Sequence, residues 1–181
     1  MDTLPFYIFL FIHLTSLVVG FGSVLVIDFF GLRWMLKKST LAFTMQVAEV
    51  TQKLIWLGWS GLVISGIGLI VIKGYIDELT WIKLFFVVML GVNGYLMHLI
   101  KKNMERLGDA ESVPRSVMFR MGFSTVLSQI GWWGAMTIGF LHRHWQHTIS
   151  WPPQPFFVIG LLALAMIVVG VIGYVGIKDG K

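Results

Sequence analysis

Apolar and polar positions fall along this chain in long blocks. The first apolar block runs from Pro5 to Phe30, and His13 and Asp28 interrupt it with ionisable groups that can be charged near neutral pH. Crossing a bilayer takes roughly 20 apolar residues, so this block predicts a membrane span. Further blocks predict spans over Leu54 to Ile72, Trp81 to Ile100, Val117 to Leu141 and Phe156 to Ile177. Their length and the lack of period-two alternation predict helices, not strands. The second helix is expected to begin earlier, near Phe43. Glu49 and Lys53 stand four apart in the favourable order and support a helical extension into water. Pro5 suits a helix's first turn, where its missing N–H costs little. The expected fold is all-α: a single transmembrane helical domain over residues 1–181, a bundle of five spans.

Composition agrees. The 181 residues are 56% hydrophobic and 13% charged, with a mean hydropathy of +0.80. Soluble domains carry about 25% charged residues, so lipid is the expected solvent for most of this surface. The net charge is +5. The basic residues lie between apolar blocks, so they set topology and meet anionic head groups, and nothing points to nucleic acid. Arg33, Lys37, Lys38, Lys53, Lys101, Lys102, Arg106, Arg115, Arg120, Lys178 and Lys181 fall on one side of a five-span chain. Lys73, Lys83 and Arg143 fall on the other. The positive-inside rule then places the N-terminus outside and the C-terminus in the cytoplasm, in a membrane of the bacterial inner (cytoplasmic) type. Trp81, Trp145, Trp151 and Tyr75 supply an outer aromatic belt. The acidic Asp2 and the length of the first block argue against a cleavable signal, so the first span is expected to be retained. There is no cysteine, which removes disulfides, thiolate metal sites and cysteine nucleophiles.

Small residues mark the faces expected to pack closely: Ser16 and Gly20 in the first span, Gly61 and Ser65 in the second, and Gly131, Ala135 and Gly139 in the fourth. Asn93 and Gln129 are amides inside spans, suited to bonding helix to helix. On a helical wheel His13, Ser16, Gly20, Ser23 and Asp28 share one broad sector. Lys83, Val87, Gly91, Gly94 and His98 share another. The fifth span has no strongly polar residue before Lys178 and is expected to seal the periphery.

Ionisable groups within spans are costly and are functional candidates by default. His13 lies too deep for its short side chain to reach bulk water. Its neutral imidazole offers a lone pair suited to haem iron or a transition metal; otherwise it is a buried histidine satisfied by a hydroxyl or carbonyl. His98 stands near the cytoplasmic end of its span, where Asp28 is a partner at similar depth. It is either half of a structural pair or a second ligand. Lys83 is near the outer boundary, snorkelling to water or holding an anionic group. His142, His144 and His147 cluster after the fourth span, where zinc or copper binding and simple solvation both remain open. No phosphate loop, nucleophile elbow or paired intramembrane carboxylates are visible.

Three stretches resemble the CopD/HemJ superfamily of small His-containing membrane proteins. They are Phe11-Ile12-His13-Leu14 with Gly20 and Gly22 following, the Trp56 to Gly66 span, and Trp81-Ile82-Lys83-Leu84 leading to His98. The resemblance covers roughly Phe11 to His98. It implies a helical bundle binding haem b, with His13 as axial ligand, Lys83 near the propionates, His98 as a further cofactor-binding candidate, and a redox or haem-dependent oxidation step. CopD-like members imply copper handling instead, for which His13, His142 and His144 are the candidate ligands. A third expectation is a membrane anchor or assembly subunit whose polar residues only orient helices. A redox or membrane-protein partner and a homo-oligomer are compatible with all three.

Overall fold

The computed structural model describes residues 3–107, 113–144 and 155–178. Among the described residues there are five α-helices and no strand: α1 (Leu4–Met35), α2 (Leu41–Lys73), α3 (Glu78–Leu107), α4 (Arg115–His144) and α5 (Pro155–Lys178). Each covers the block that predicts it and extends beyond it. Three are long and apolar enough to cross a membrane: Leu4–Met35, Leu41–Lys73 and Glu78–Lys102. The chain divides into two compact units, Met1–Ile76 and Asp77–Lys181.

The first unit is the α1–α2 hairpin. Pro5 occupies the first turn of α1, where it breaks no intrahelical bond. α1 ends in a Schellman motif. The Lys37 N–H donates to the Trp34 carbonyl (2.8 Å) and the Lys38 N–H to the Arg33 carbonyl (2.8 Å). Lys37 takes the left-handed position, φ 57°, that glycine usually fills. Thr40 then caps α2, its side chain accepting from the Phe43 N–H at 3.3 Å, and the Phe30 and Phe43 rings meet edge to face at 5.4 Å. α2 closes on Gly74, φ 79°. With 32 and 33 residues, both helices are about 50 Å long. A hydrocarbon core about 30 Å thick leaves length over. The Lys53–Glu49 ion pair, 3.3 Å apart on the α2 surface, fits the aqueous extension expected before Leu54.

Both helices turn a heptad-spaced apolar stripe outward. On α1 the exposed stripe is Leu4, Phe11, Val18, Leu25 and Leu32, and on α2 it is Val50, Leu57, Ile64 and Val71. Water would penalise such a surface and lipid does not.

The second unit packs α3, α4 and α5. Asp77 starts α3, its carboxylate accepting from the Thr80 N–H at 2.9 Å and from the Thr80 hydroxyl. The buried face of α3 is Leu79, Ile82, Phe86, Leu90 and Asn93. Ile82, Phe86 and Ala135 form its apolar core, with Val158, Ile159 and Leu162 of α5 packed against them. Phe156 meets Trp81, ring centroids 5.4 Å apart. Within its unit α5 covers the apolar core that α3 and α4 form.

Candidate functional site

The contact between α1 and α2 is a ladder of four rungs in constant antiparallel register. A Cβ built on Gly58 would lie 2.5 Å from both the Cα and the N of Gly20, so the two backbones touch. A Cβ on Gly61 would overlap the Ser16 side chain, and one on Gly68 would lie 2.5 Å from the Phe9 ring. Between these rungs His13 Nδ1 lies 2.9 Å from Ser65 Oγ. On α2 the rungs are Gly58, Gly61, Ser65 and Gly68, at intervals of three and four. That spacing keeps them on one seam, and their small size admits the facing helix. On α1 the rungs grow in size from Gly20 through Ser16 and His13 to Phe9.

His13 is therefore held by its neighbours from two sides of the seam. It is 9% exposed and Ser65 is 0% exposed. The Ser65 hydroxyl donates to the Gly61 carbonyl at 2.5 Å. A Cβ on Gly66 would meet only the His13 ring, at 3.7 Å from Cε1, an ordinary van der Waals separation, so Gly66 lies beside the imidazole. His13 sits about 14 Å along α1 from its first residue by helix rise.

Beyond the Gly20–Gly58 rung the same helices part around an open groove of about 710 Å³, lined mainly by apolar residues such as Val19, Val26, Val47 and Val50. Its buried hydroxyls are used within their own helices: Ser23 donates to the Val19 carbonyl (2.7 Å) and Thr51 to the Val47 carbonyl (2.8 Å). Ser65 makes the same backbone bond but also meets a side chain across the seam.

In the second unit the polar contact between α3 and α4 is closed on itself. The Asn93 amide N–H donates to the Ser124 carbonyl at 2.8 Å, and the Ser124 hydroxyl donates to the Asn93 amide oxygen at 2.5 Å. Both residues are buried. Gly131 faces Leu90 and Met89, Gly134 faces Phe86, and Gly139 faces Lys83, whose Nζ would lie 3.6 Å from a Cβ there. The small-residue face expected on the fourth span is thus the α4 side of this contact. Gln129 accepts from the Trp133 indole N–H one turn on, at 3.0 Å, a bond within α4.

The candidate residues are distributed as follows. His13 is buried in the first unit. Lys83 is half-buried and His98 exposed, both on α3 of the second unit. Fifteen residues of helix keep these two about 22 Å apart. The sector Lys83, Val87, Gly91, Gly94 and His98 flanks the buried face of α3, because the larger apolar side chains one position before it fill the space against α4. Asp28 is half-buried on α1. The backbone of His142 and His144 lies in the last turn of α4. Their side chains, and all of Trp145, His147 and Trp151, lie outside the described residues. Among the described residues no group of three or more His, Cys, Asp or Glu could hold a metal ion. The sequence reading marks Ser65 as a packing residue and misses it as the partner of His13. It does not mark Ser124 at all.

Comparison with family models, with characterised proteins and with solved structures finds no match.

Proposed function

We propose that this chain is an integral membrane protein that binds a b-type haem through His13 and acts in a redox or haem-dependent oxidation step. The observation that carries this is the buried imidazole of His13, held at Nδ1 between two helices whose outer faces are apolar. The donor chemistry fits the group: an imidazole nitrogen is the usual haem-iron ligand. Bound there, a haem would supply one-electron chemistry. His13 would supply the ligand, and its burial between the two helices would restrict water. Lys83 and His98 belong to the other unit, so the assignment rests on His13 alone.

The reading includes five crossings with the N-terminus outside and the C-terminus in the cytoplasm of a bacterial-type inner membrane. It is supported by the basic turn between α1 and α2, where Lys37 and Lys38 are exposed. A cysteine placed at Lys38 in this cysteine-free chain is then labelled by an impermeant reagent only after the cytoplasmic face is opened. Labelling in intact cells would reverse the orientation.

One observation favours a second reading. The Asn93–Ser124 contact orients helices without any group left for chemistry, and the His13–Ser65 contact has the same bridging form. In that reading the chain is an anchor or assembly subunit. Supplementing purified protein with haem separates the two, since a Soret band that depends on His13 belongs only to the first.

A further inference from the structure

We infer that Ser65 is a positioning residue that sets the tautomer of His13, placing the ring proton on Nδ1 and the basic lone pair on Nε2. The inference deepens the haem reading and depends on it only for the identity of the ligand, not for the tautomer.

Ser65 Oγ carries one hydrogen and makes two close contacts, 2.5 Å to the Gly61 carbonyl oxygen and 2.9 Å to His13 Nδ1, besides a longer one of 3.4 Å to the Leu62 carbonyl oxygen. The carbonyl has no proton to give. If the hydroxyl pointed at His13, two oxygen lone pairs would face each other at 2.5 Å in a site that is 0% exposed. The hydroxyl proton therefore goes to Gly61, and the contact with the imidazole must be filled by an Nδ1–H. The same backbone bond is made by Thr44 to Thr40 (3.0 Å) and by Thr51 to Val47 (2.8 Å), so donation to the carbonyl four residues back is the habit of this helix. Only at Ser65 does the hydroxyl also accept from another helix.

Fixing Nδ1–H has a chemical consequence. A neutral imidazole has one donor and one acceptor nitrogen, and the hydrogen bond at one decides the role of the other. In water the unconstrained ring favours the opposite form, with the proton on Nε2. Metal-bound histidines depend on such outer partners for tautomer and ring orientation. Here the partner is a serine whose own proton is committed to the backbone, so its oxygen can only accept.

The test is nitrogen NMR on the full chain, labelled with ¹⁵N-histidine, free of haem, in lipid bilayers at alkaline pH. The His13 resonances are assigned as those lost in His13→Asn. The expected wild-type result is a protonated Nδ1 and an unprotonated, pyridine-like Nε2, with Ser65→Ala moving the ring towards Nε2–H. Added haem should then bind Ser65→Ala about 10–100-fold more weakly than wild type, the range for lost outer partners of metal-bound histidines. A wild-type ring protonated on Nε2 overturns the inference without any variant having to fold. So does an Nδ1–H ring that Ser65→Ala leaves unchanged. A chain that shows the expected tautomer and its dependence on Ser65 but never acquires a Soret band keeps Ser65 in this role and defeats the haem reading alone.

Discussion

Two buried polar contacts among the described residues, His13–Ser65 between α1 and α2 and Asn93–Ser124 between α3 and α4, differ in the chemistry of the side chains that make them. Both bridge two apolar helices and both are buried. In the second, amide and hydroxyl each donate once across the interface, one to the backbone and one to the side chain. That contact uses groups that stay neutral, and its chemistry ends with the bond. In the first, the contact is made by an imidazole, a group whose chemistry includes binding a proton or a metal. A contact of the Asn–Ser kind costs less to keep in a membrane, so a histidine in the equivalent role calls for a further use. The surroundings differ as well. Asn93 shares the buried face of α3 with Leu90 and Phe86, whereas His13 is seated in a seam of Gly58, Gly61, Ser65 and Gly68.

The comparison can be broken at its strongest point first. Gly58→Val drives a branched side chain into the Gly20 backbone, where even a Cβ would sit at 2.5 Å. We expect a loss of about 1–3 kcal/mol, the usual cost of overpacking, measured by denaturant unfolding in mixed micelles. A neutral result would mean that the backbone contact is not what holds the hairpin. Asn93→Ala opens the second contact and should cost about 1–2 kcal/mol, as for interhelical side-chain hydrogen bonds in lipid. A cost well above that range would show a network wider than one residue pair. The smallest effect is expected outside both contacts. Glu49→Gln removes the exposed ion pair with Lys53, whose side chains are 62% and 76% exposed. It should change stability by roughly 0.3–0.5 kcal/mol, less in salt.

Much of this was legible in the residues. Apolar blocks locate all five helices because block length and period depend on the chain alone. Glu49 and Lys53 correctly extend α2 backwards past Leu54. Ser16, Gly20, Gly61 and Ser65 are recognisable as packing residues because only small side chains let helices meet. What a wheel cannot supply is the register between helices. Nothing in the chain alone sets Ser65 opposite His13 rather than one rung away, and the same gap conceals Ser124 from Asn93. The sector of Lys83 and His98 illustrates a second limit. A polar stripe on a wheel competes with the apolar stripe beside it, and in α3 Ile82, Phe86 and Leu90 take the buried face.

On the proposed reading the His13 contact carries a ligand and the Asn93 contact does not. The most direct measurement is the haem content of wild type, His13→Ala and Asn93→Ala, purified side by side after haem supplementation and read as reduced-minus-oxidised absorption spectra. The account predicts a Soret band in wild type and in Asn93→Ala, and its loss in His13→Ala. A His13→Ala protein that retains the wild-type spectrum, or a wild-type protein with no Soret band, would contradict it.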